Sequence, residues 1–163
     1  MSSTKLTRQA LIEQFFQEIS RQSTWTVIYH QALAVKIGLS ATDLKSSAIL
    51  NETGPITAGE MAEMIGLSTG AVTGVIDRLE QAGLVRRDRD PHDRRRVVIV
   101  PIHNSAMAQQ IGAMFEGLSQ ASVELLTQYS DQEFLVILDF IRNGTELMKA
   151  QVTKLRQVPP PHE

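Results

Sequence analysis

Residues 57–101 read TAGEMAEMIGLSTGAVTGVIDRLEQAGLVRRDRDPHDRRRVVIVP, and this stretch narrows the possible architectures more than any other. Thr57-Ala-Gly-Glu60 has capping-box spacing, in which a threonine hydroxyl and a glutamate carboxylate each satisfy a free N–H of the first helical turn. It predicts a short helix with Met61, Met64 and Ile65 facing inward, closed by Gly66. Ser68 starts a second helix running to about Ala82, with Gly83 past its end. Leu84–Arg87 and Arg96–Val100 then read as two strands around the turn-rich segment DRDPHDRR. Asp90-Pro91 and Asp93 suit that turn, since aspartate side chains cap turns and proline presets φ.

The charge distribution gives this unit a purpose. Six of the sixteen basic side chains fall between Arg86 and Arg96 (Arg86, Arg87, Arg89, Arg94, Arg95 and Arg96), although the whole chain carries a formal net charge of −2. An acidic total excludes a uniformly basic coat for nucleic acid, so contact with DNA has to be local. The second helix divides into two faces. Val72, Val75, Ile76 and Leu79 form an anchoring side, whereas Ser68, Thr69, Gly70, Thr73, Gly74, Asp77 and Arg78 lie elsewhere. Small and hydroxyl-bearing residues let a helix approach a major groove closely, and its N-terminus favours phosphate. Gly70 and Gly74 are equally consistent with tight packing against a neighbouring helix. A run of arginines is ordinarily a solvated face, and Asp88, Asp90 and Asp93 can neutralise part of it. Its place one strand beyond a capped helix–turn–helix points instead to duplex DNA, with an arginine at the hairpin tip suited to a narrow minor groove.

Long amphipathic segments flank the unit. Leu11, Phe15, Ile19, Val27, Ile28 and Leu33 recur at helical intervals over residues 5–37, with the polar run 20–24 as a point of kinking or interruption and Gly38 as the stop. Ser40 caps a helix carrying Leu44, Ala48, Ile49 and Leu50, which Asn51 and Gly54-Pro55 end. A helix follows over about 104–129, and Ser130-Asp-Gln-Glu133 is a second capping box opening a last helix with Phe134, Ile137, Leu138, Ile141 and Met148. Pro159, Pro160 and Pro161 form a non-helical tail. One small module cannot bury the apolar stripes of all these helices, and pairing with a second copy can. The expected organisation is therefore mainly α: an N-terminal dimerisation helix (1–38), a winged helix–turn–helix lobe with a small β-hairpin wing (39–101), C-terminal dimerisation helices (102–157) and a flexible tail (158–163). A monomer whose ends fold back on the central module is the alternative.

Other chemistries find little support. The chain has no cysteine, which removes disulfides, thiolate metal sites and thiol redox sensing. His30, His92, His103 and His162 show no ligand spacing, so no metal or other cofactor is expected. No nucleophile elbow, His-Glu-x-x-His, phosphate-binding glycine loop or dinucleotide fingerprint is present, so no enzyme is expected. No apolar run approaches a membrane span, and the start MSSTKLTRQ lacks a signal-peptide core, so a cytoplasmic location is expected.

Leu67-Ser-Thr-Gly-Ala-Val-Thr73, Ile76-Asp-Arg-Leu-Glu-Gln-Ala-Gly-Leu-Val85, and Arg87 through Asp90-Pro-His-Asp-Arg-Arg95 together resemble the winged-helix regulators of the multiple-antibiotic-resistance (MarR) family. The resemblance spans nearly the whole chain. It departs where Pro101-Ile102 stands in place of the family's usual Leu-Thr, which leaves the entry to the next helix open. It implies an obligate homodimer acting as a transcriptional repressor at a roughly palindromic operator, with each recognition helix in a major groove and each wing in the adjacent minor groove. Carried over by motif position, Ser68, Thr69, Thr73 and Arg78 read bases or phosphates, and Arg95 is the wing-tip arginine. Gly70, Gly74, Arg89 and Arg94 belong to the same DNA-facing surface. Asp93 braces the wing, with Arg87 as its partner. Many such regulators are released from DNA by a small aromatic or phenolic compound, and Trp25, Tyr29 and His30 are the candidate lining for one here. Ordinary packing accounts for the same three residues, with His30 hydrogen-bonded and Trp25 at a dimer contact. A winged helix that docks onto an acidic protein partner is the alternative function.

Overall fold

The computed structural model describes residues 7–157; the proline tail and His162 lie outside them. The described residues fall into two compact units that divide between Met114 and Phe115. The first unit opens with α1 (Arg8–Lys36), capped by the Thr7 hydroxyl, which accepts from the Ala10 N–H. The polar run at 20–24 does not interrupt it. Thr24 and Thr26 donate their hydroxyls to the carbonyls of Ser20 and Gln22 one turn back, at 3.0 and 2.9 Å, so the polar groups are satisfied without leaving the helix. Only Leu33 and Ala34 of α1 are buried; Leu11, Phe15, Val27 and Ile28 stay exposed.

α2 (Ala41–Thr53) begins at a capping box of Ser40 with Asp43 and ends at Gly54. α3 (Ala58–Ile65) begins at the Thr57–Glu60 capping box read from the sequence. Met61 and Ala62 are buried and Ile65 packs against the core, whereas Met64 is exposed. Eight residues make little more than two turns, which turns only a narrow stripe toward the core. Gly66, at φ 72°, ends α3 in the left-handed conformation and donates its N–H to Ala62, producing the sharp turn into α4 (Thr69–Gln81). Gly83, at φ 71°, does the same between α4 and the hairpin.

The hairpin pairs β1 (Val85–Arg89) with β2 (Val97–Pro101), antiparallel, in a register that sets Val85 against Pro101 and Arg87 against Ile99. Both strands sit one or two residues later than the sequence pattern suggests. The wing also has a third, one-residue edge: Ile56 and Ile99 exchange backbone hydrogen bonds of 3.4 and 2.7 Å. A single bridged residue has no periodicity to betray it. The core gathers Leu50, Met61, Val72, Val75, Ile76, Leu79, Leu84, Val85 and Ile99, so α2, α3, α4 and the wing share one apolar centre. Pro101 closes β2, Ile102 donates to the Leu84 carbonyl at 2.8 Å, and the Ser105 hydroxyl caps α5 (Ala106–Leu126) by accepting from Ala108. Met107, Ala108 and Ile111 of α5 pack on the core. α5 thus begins two residues after the position, about 104, that the sequence pattern gives it.

The second unit holds the end of α5 and α6 (Asp131–Gln157). Its capping box forms as read: Ser130 and Glu133 exchange backbone-to-side-chain bonds of 2.9 and 3.3 Å. Neither α5 nor α6 contains a buried residue.

Candidate nucleic-acid interface

α4 is anchored by Val72, Val75, Ile76 and Leu79, all at most 2% exposed. At about 100° per residue, its opposite side carries Gly70, Thr73, Gly74 and Asp77. Ser68, Thr69, Gly70 and Thr73 are all exposed, with the Ser68 hydroxyl capping the Ala71 N–H. A Cβ added at Gly70 would meet nothing within 4 Å. Among the described residues no neighbouring helix therefore requires that glycine. At Gly74 the nearest atom to an added Cβ is Nη1 of Arg78, at 3.5 Å, an ordinary contact.

Arg78 is not simply displayed to solvent. Its Nε lies 3.2 and 3.0 Å from the two carboxylate oxygens of Asp43, and its Nη2 lies 2.8 Å from Oδ1. Asp43 is 0% exposed, while the Arg78 side chain remains 50% exposed. Burial alone would raise the Asp43 carboxyl, but the guanidinium of Arg78 and the N–H of Ser40 outweigh it and hold the group below its ordinary value. One buried carboxylate thus caps α2 and grips α4. The pattern of residues 40–43 signals the cap; the partner 35 positions later is invisible until the chain folds.

The structure sorts the six wing arginines. Arg86 pairs with Asp88 at 3.2 Å, and Arg96 with Glu60 of the α3 cap at 3.1 Å. Glu60 is held below its ordinary value first by the Thr57 N–H and hydroxyl and then by Arg96. Arg87 forks onto Asp77 and Glu80 of α4, and its backbone N–H donates to Glu80 at 3.0 Å. The expected Arg87–Asp93 pairing is therefore corrected. Register places Arg87 beside Ile99 in the middle of the hairpin, whereas Asp93 sits in the turn beyond its last pair, Arg89 with Val97. Asp77 and Glu80, one helical turn apart on α4, are the carboxylates within reach.

Asp93 does brace the turn, through local bonds. Its carboxylate accepts from the Arg95 N–H at 3.0 Å, and its carbonyl accepts from the Arg96 N–H at 2.9 Å. Asp90 accepts from the His92 N–H at 2.8 Å and donates its own to the Arg96 carbonyl at 3.1 Å. Arg89 donates to the Arg94 carbonyl at 3.3 Å. These bonds leave the Arg95 side chain 96% exposed, with Asp93 Oδ1 3.6 Å from its Nε. Arg89, Arg94 and Arg95 are the wing guanidiniums least neutralised by carboxylates, and they cluster at the tip.

The aromatic candidates lie away from this surface, on α1. Trp25 is 63% exposed; Tyr29 and His30 are half-buried with ring centroids 5.9 Å apart. The Tyr29 hydroxyl donates to the Met114 carbonyl at 3.3 Å. None of the three lines the open recess of 310 Å³ bounded by Ile37, Gly38, Leu39, Arg78, Gln81 and Ala82. Among the described residues no group of three or more His, Asp or Glu is placed to hold a metal. No helix among them is long and apolar enough to cross a membrane.

Comparison with known proteins agrees with this geometry. The sequence model of the MarR family matches residues 33–97, from the end of α1 to the first residue of β2. An HTH-type transcriptional regulator of Bacillus subtilis, YcgE, is 44% identical over 155 residues, covering 95% of this chain and 99% of its own. The organic hydroperoxide resistance transcriptional regulator of the same organism is 29% identical over 103 residues, covering 61% of this chain and 70% of its own. Among solved structures, a MarR family protein from Bacillus stearothermophilus superposes with a TM-score of 0.68 at 20% identity, covering 88% of this chain and 99% of that one. The fold, the matched segment and the near full-length relative coincide: the chain belongs to the MarR family of helix–turn–helix transcriptional regulators, which are not enzymes.

Proposed function

We propose that the protein is a cytoplasmic homodimeric repressor that occupies a roughly palindromic operator. In this reading α4 lies in the major groove, with Ser68, Thr69, Gly70, Thr73 and Gly74 closest to the bases, and Arg89, Arg94 and Arg95 reach the neighbouring minor groove. The wing tip carries the proposal: Arg95 is almost wholly exposed on a turn braced by Asp93, and no carboxylate of α4 reaches it. A guanidinium held out in that way suits the negative potential of a narrow minor groove. Twofold pairing is supported by apolar side chains that the chain leaves uncovered on its terminal helices, including Trp25 of α1 and Leu155 of α6, the latter 71% exposed. Two recognition helices then stand about 34 Å apart, one turn of DNA.

Selection of bound duplexes from a random pool tests the reading. An inverted repeat with half-sites one helical turn apart is the expected product. A pool that retains no preferred sequence would favour a wing that docks on an acidic protein, since such a wing gives only non-specific DNA affinity. Release by a small aromatic or phenolic ligand, with Trp25, Tyr29 and His30 as its lining, is the corresponding proposal for regulation. It requires a ligand with unequal affinity for free and DNA-bound dimer. A compound that binds tightly yet leaves operator affinity unchanged is not that ligand.

A further inference from the structure

Asp43 is the one charged side chain that the described residues bury completely, and the DNA-reading surface does not include it. It sits on α2, yet both its oxygens are turned to Arg78 of α4. The grip uses one edge of the guanidinium, Nε and Nη2. The opposite corner, Nη1, lies over Gly74, one turn toward the end of α4 that bears Ser68, Thr69 and Thr73. It has no protein acceptor among the described residues. A glycine at 74 leaves that corner open to solvent, and half of the Arg78 side chain is exposed. A planar guanidinium clamped along one edge loses little further freedom when the other edge takes a ligand.

We propose that Asp43 is a positioning residue for DNA binding: it holds Arg78 so that Nη1 meets a backbone phosphate at the rim of the groove that α4 enters. The inference rests on the assignment of α4 as the recognition helix. Asp43 fixes the angle of the guanidinium, and the phosphate completes its coordination from outside. The buried charge also ties the orientation of α4 to α2, so groove contact and core packing share one carboxylate.

The test uses the full-length protein and a duplex recovered from the random pool, with binding titrated across a salt series. Asp43→Asn keeps the shape and loses the charge that fixes the fork. Arg78→Lys keeps the charge and loses the outer corner. Each is expected to weaken binding on the order of tenfold and to flatten the slope of log affinity against log salt by about one unit. The double variant is expected to bind no worse than the weaker single one, because both changes remove the same contact. Native circular dichroism accompanies each titration. Folded single variants with wild-type affinity and salt slope overturn the proposal. So does tighter binding by Asp43→Asn, which would mean that the carboxylate masks Arg78. Should Asp43→Asn fail to fold, Arg78→Lys decides alone, since its side chain is half exposed. If the wild-type protein prefers no duplex, the assignment of α4 falls first; if it does and the variants match it, only the role of Asp43 falls.

Discussion

Arg95 and Gly70 are the two residues at which exposure speaks most directly about binding. Arg95 is held in solvent by a turn to which it gives its backbone N–H, leaving its side chain 96% exposed. Arg95→Ala is therefore expected to weaken binding to every duplex and to flatten the salt dependence by about one unit, with secondary structure and subunit assembly unchanged. Gel-shift titration beside circular dichroism and light scattering checks this. Gly70 is the second residue of α4 and has open space around it, where alanine should stabilise the fold by at most about 1 kcal/mol. The same methyl group would stand between α4 and the floor of a groove. Gly70→Ala is expected to unfold at higher urea concentration and to bind the operator more weakly. Unchanged affinity would show that α4 does not approach DNA through that position.

At the scale of elements, carboxylate–guanidinium ties connect the parts that must stay aligned. Asp43 joins α2 to α4, Asp77 and Glu80 join α4 to β1 through Arg87, and Glu60 joins α3 to the start of the returning arm through Arg96. Asp43 is buried, so its charge matters most for stability. Its folded-state carboxyl is held below the ordinary value of 3.8 despite the opposing effect of burial, so the ionised form stabilises the fold. That contribution is complete above the ordinary value and is lost as pH falls through the lowered one. Asp43→Asn should thus be less stable than wild type near neutrality, and the gap should narrow as the pH falls below the ordinary value of 3.8. Urea unfolding of both proteins along that pH series gives the comparison, and a gap that stays constant would contradict the assignment. The α4 and β1 elements were legible from Ser68, the apolar spacing 72–75–76–79 and Gly83. Their ties were not, because a salt bridge between positions 43 and 78 leaves no local pattern.

For the whole molecule, the decisive feature is the apolar surface left on α1, α5 and α6. In α6, Leu147 and Leu155 are both well exposed in the single chain. Within a monomer, replacing both by glutamate would be nearly silent; at a twofold contact it would bury unpaired charges. Leu147→Glu combined with Leu155→Glu is expected to yield monomers by sedimentation. Operator affinity should fall steeply with it, since two half-sites then bind without a shared linkage. A double variant that remains dimeric would move the contact elsewhere.

What could be read from residue order was most of what near neighbours govern, though not the unbroken run of α1 past residues 20–24, whose hydroxyl bonds also span a single turn. The capping boxes at Thr57 and Ser130, the glycine stops at 66 and 83, the anchoring stripe of α4 and the arginine-rich turn all depend on groups a few positions apart, where propensity and hydrogen-bond spacing act. The one-residue strand at Ile56 and the partners of Arg78 and Arg87 came only from folding. Each depends on which distant side chains or carbonyls arrive within about 3 Å, and that is set by the packing of the core rather than by spacing along the chain. The same packing decided which guanidiniums are held by carboxylates of other elements and which three, at the tip of the wing, are not.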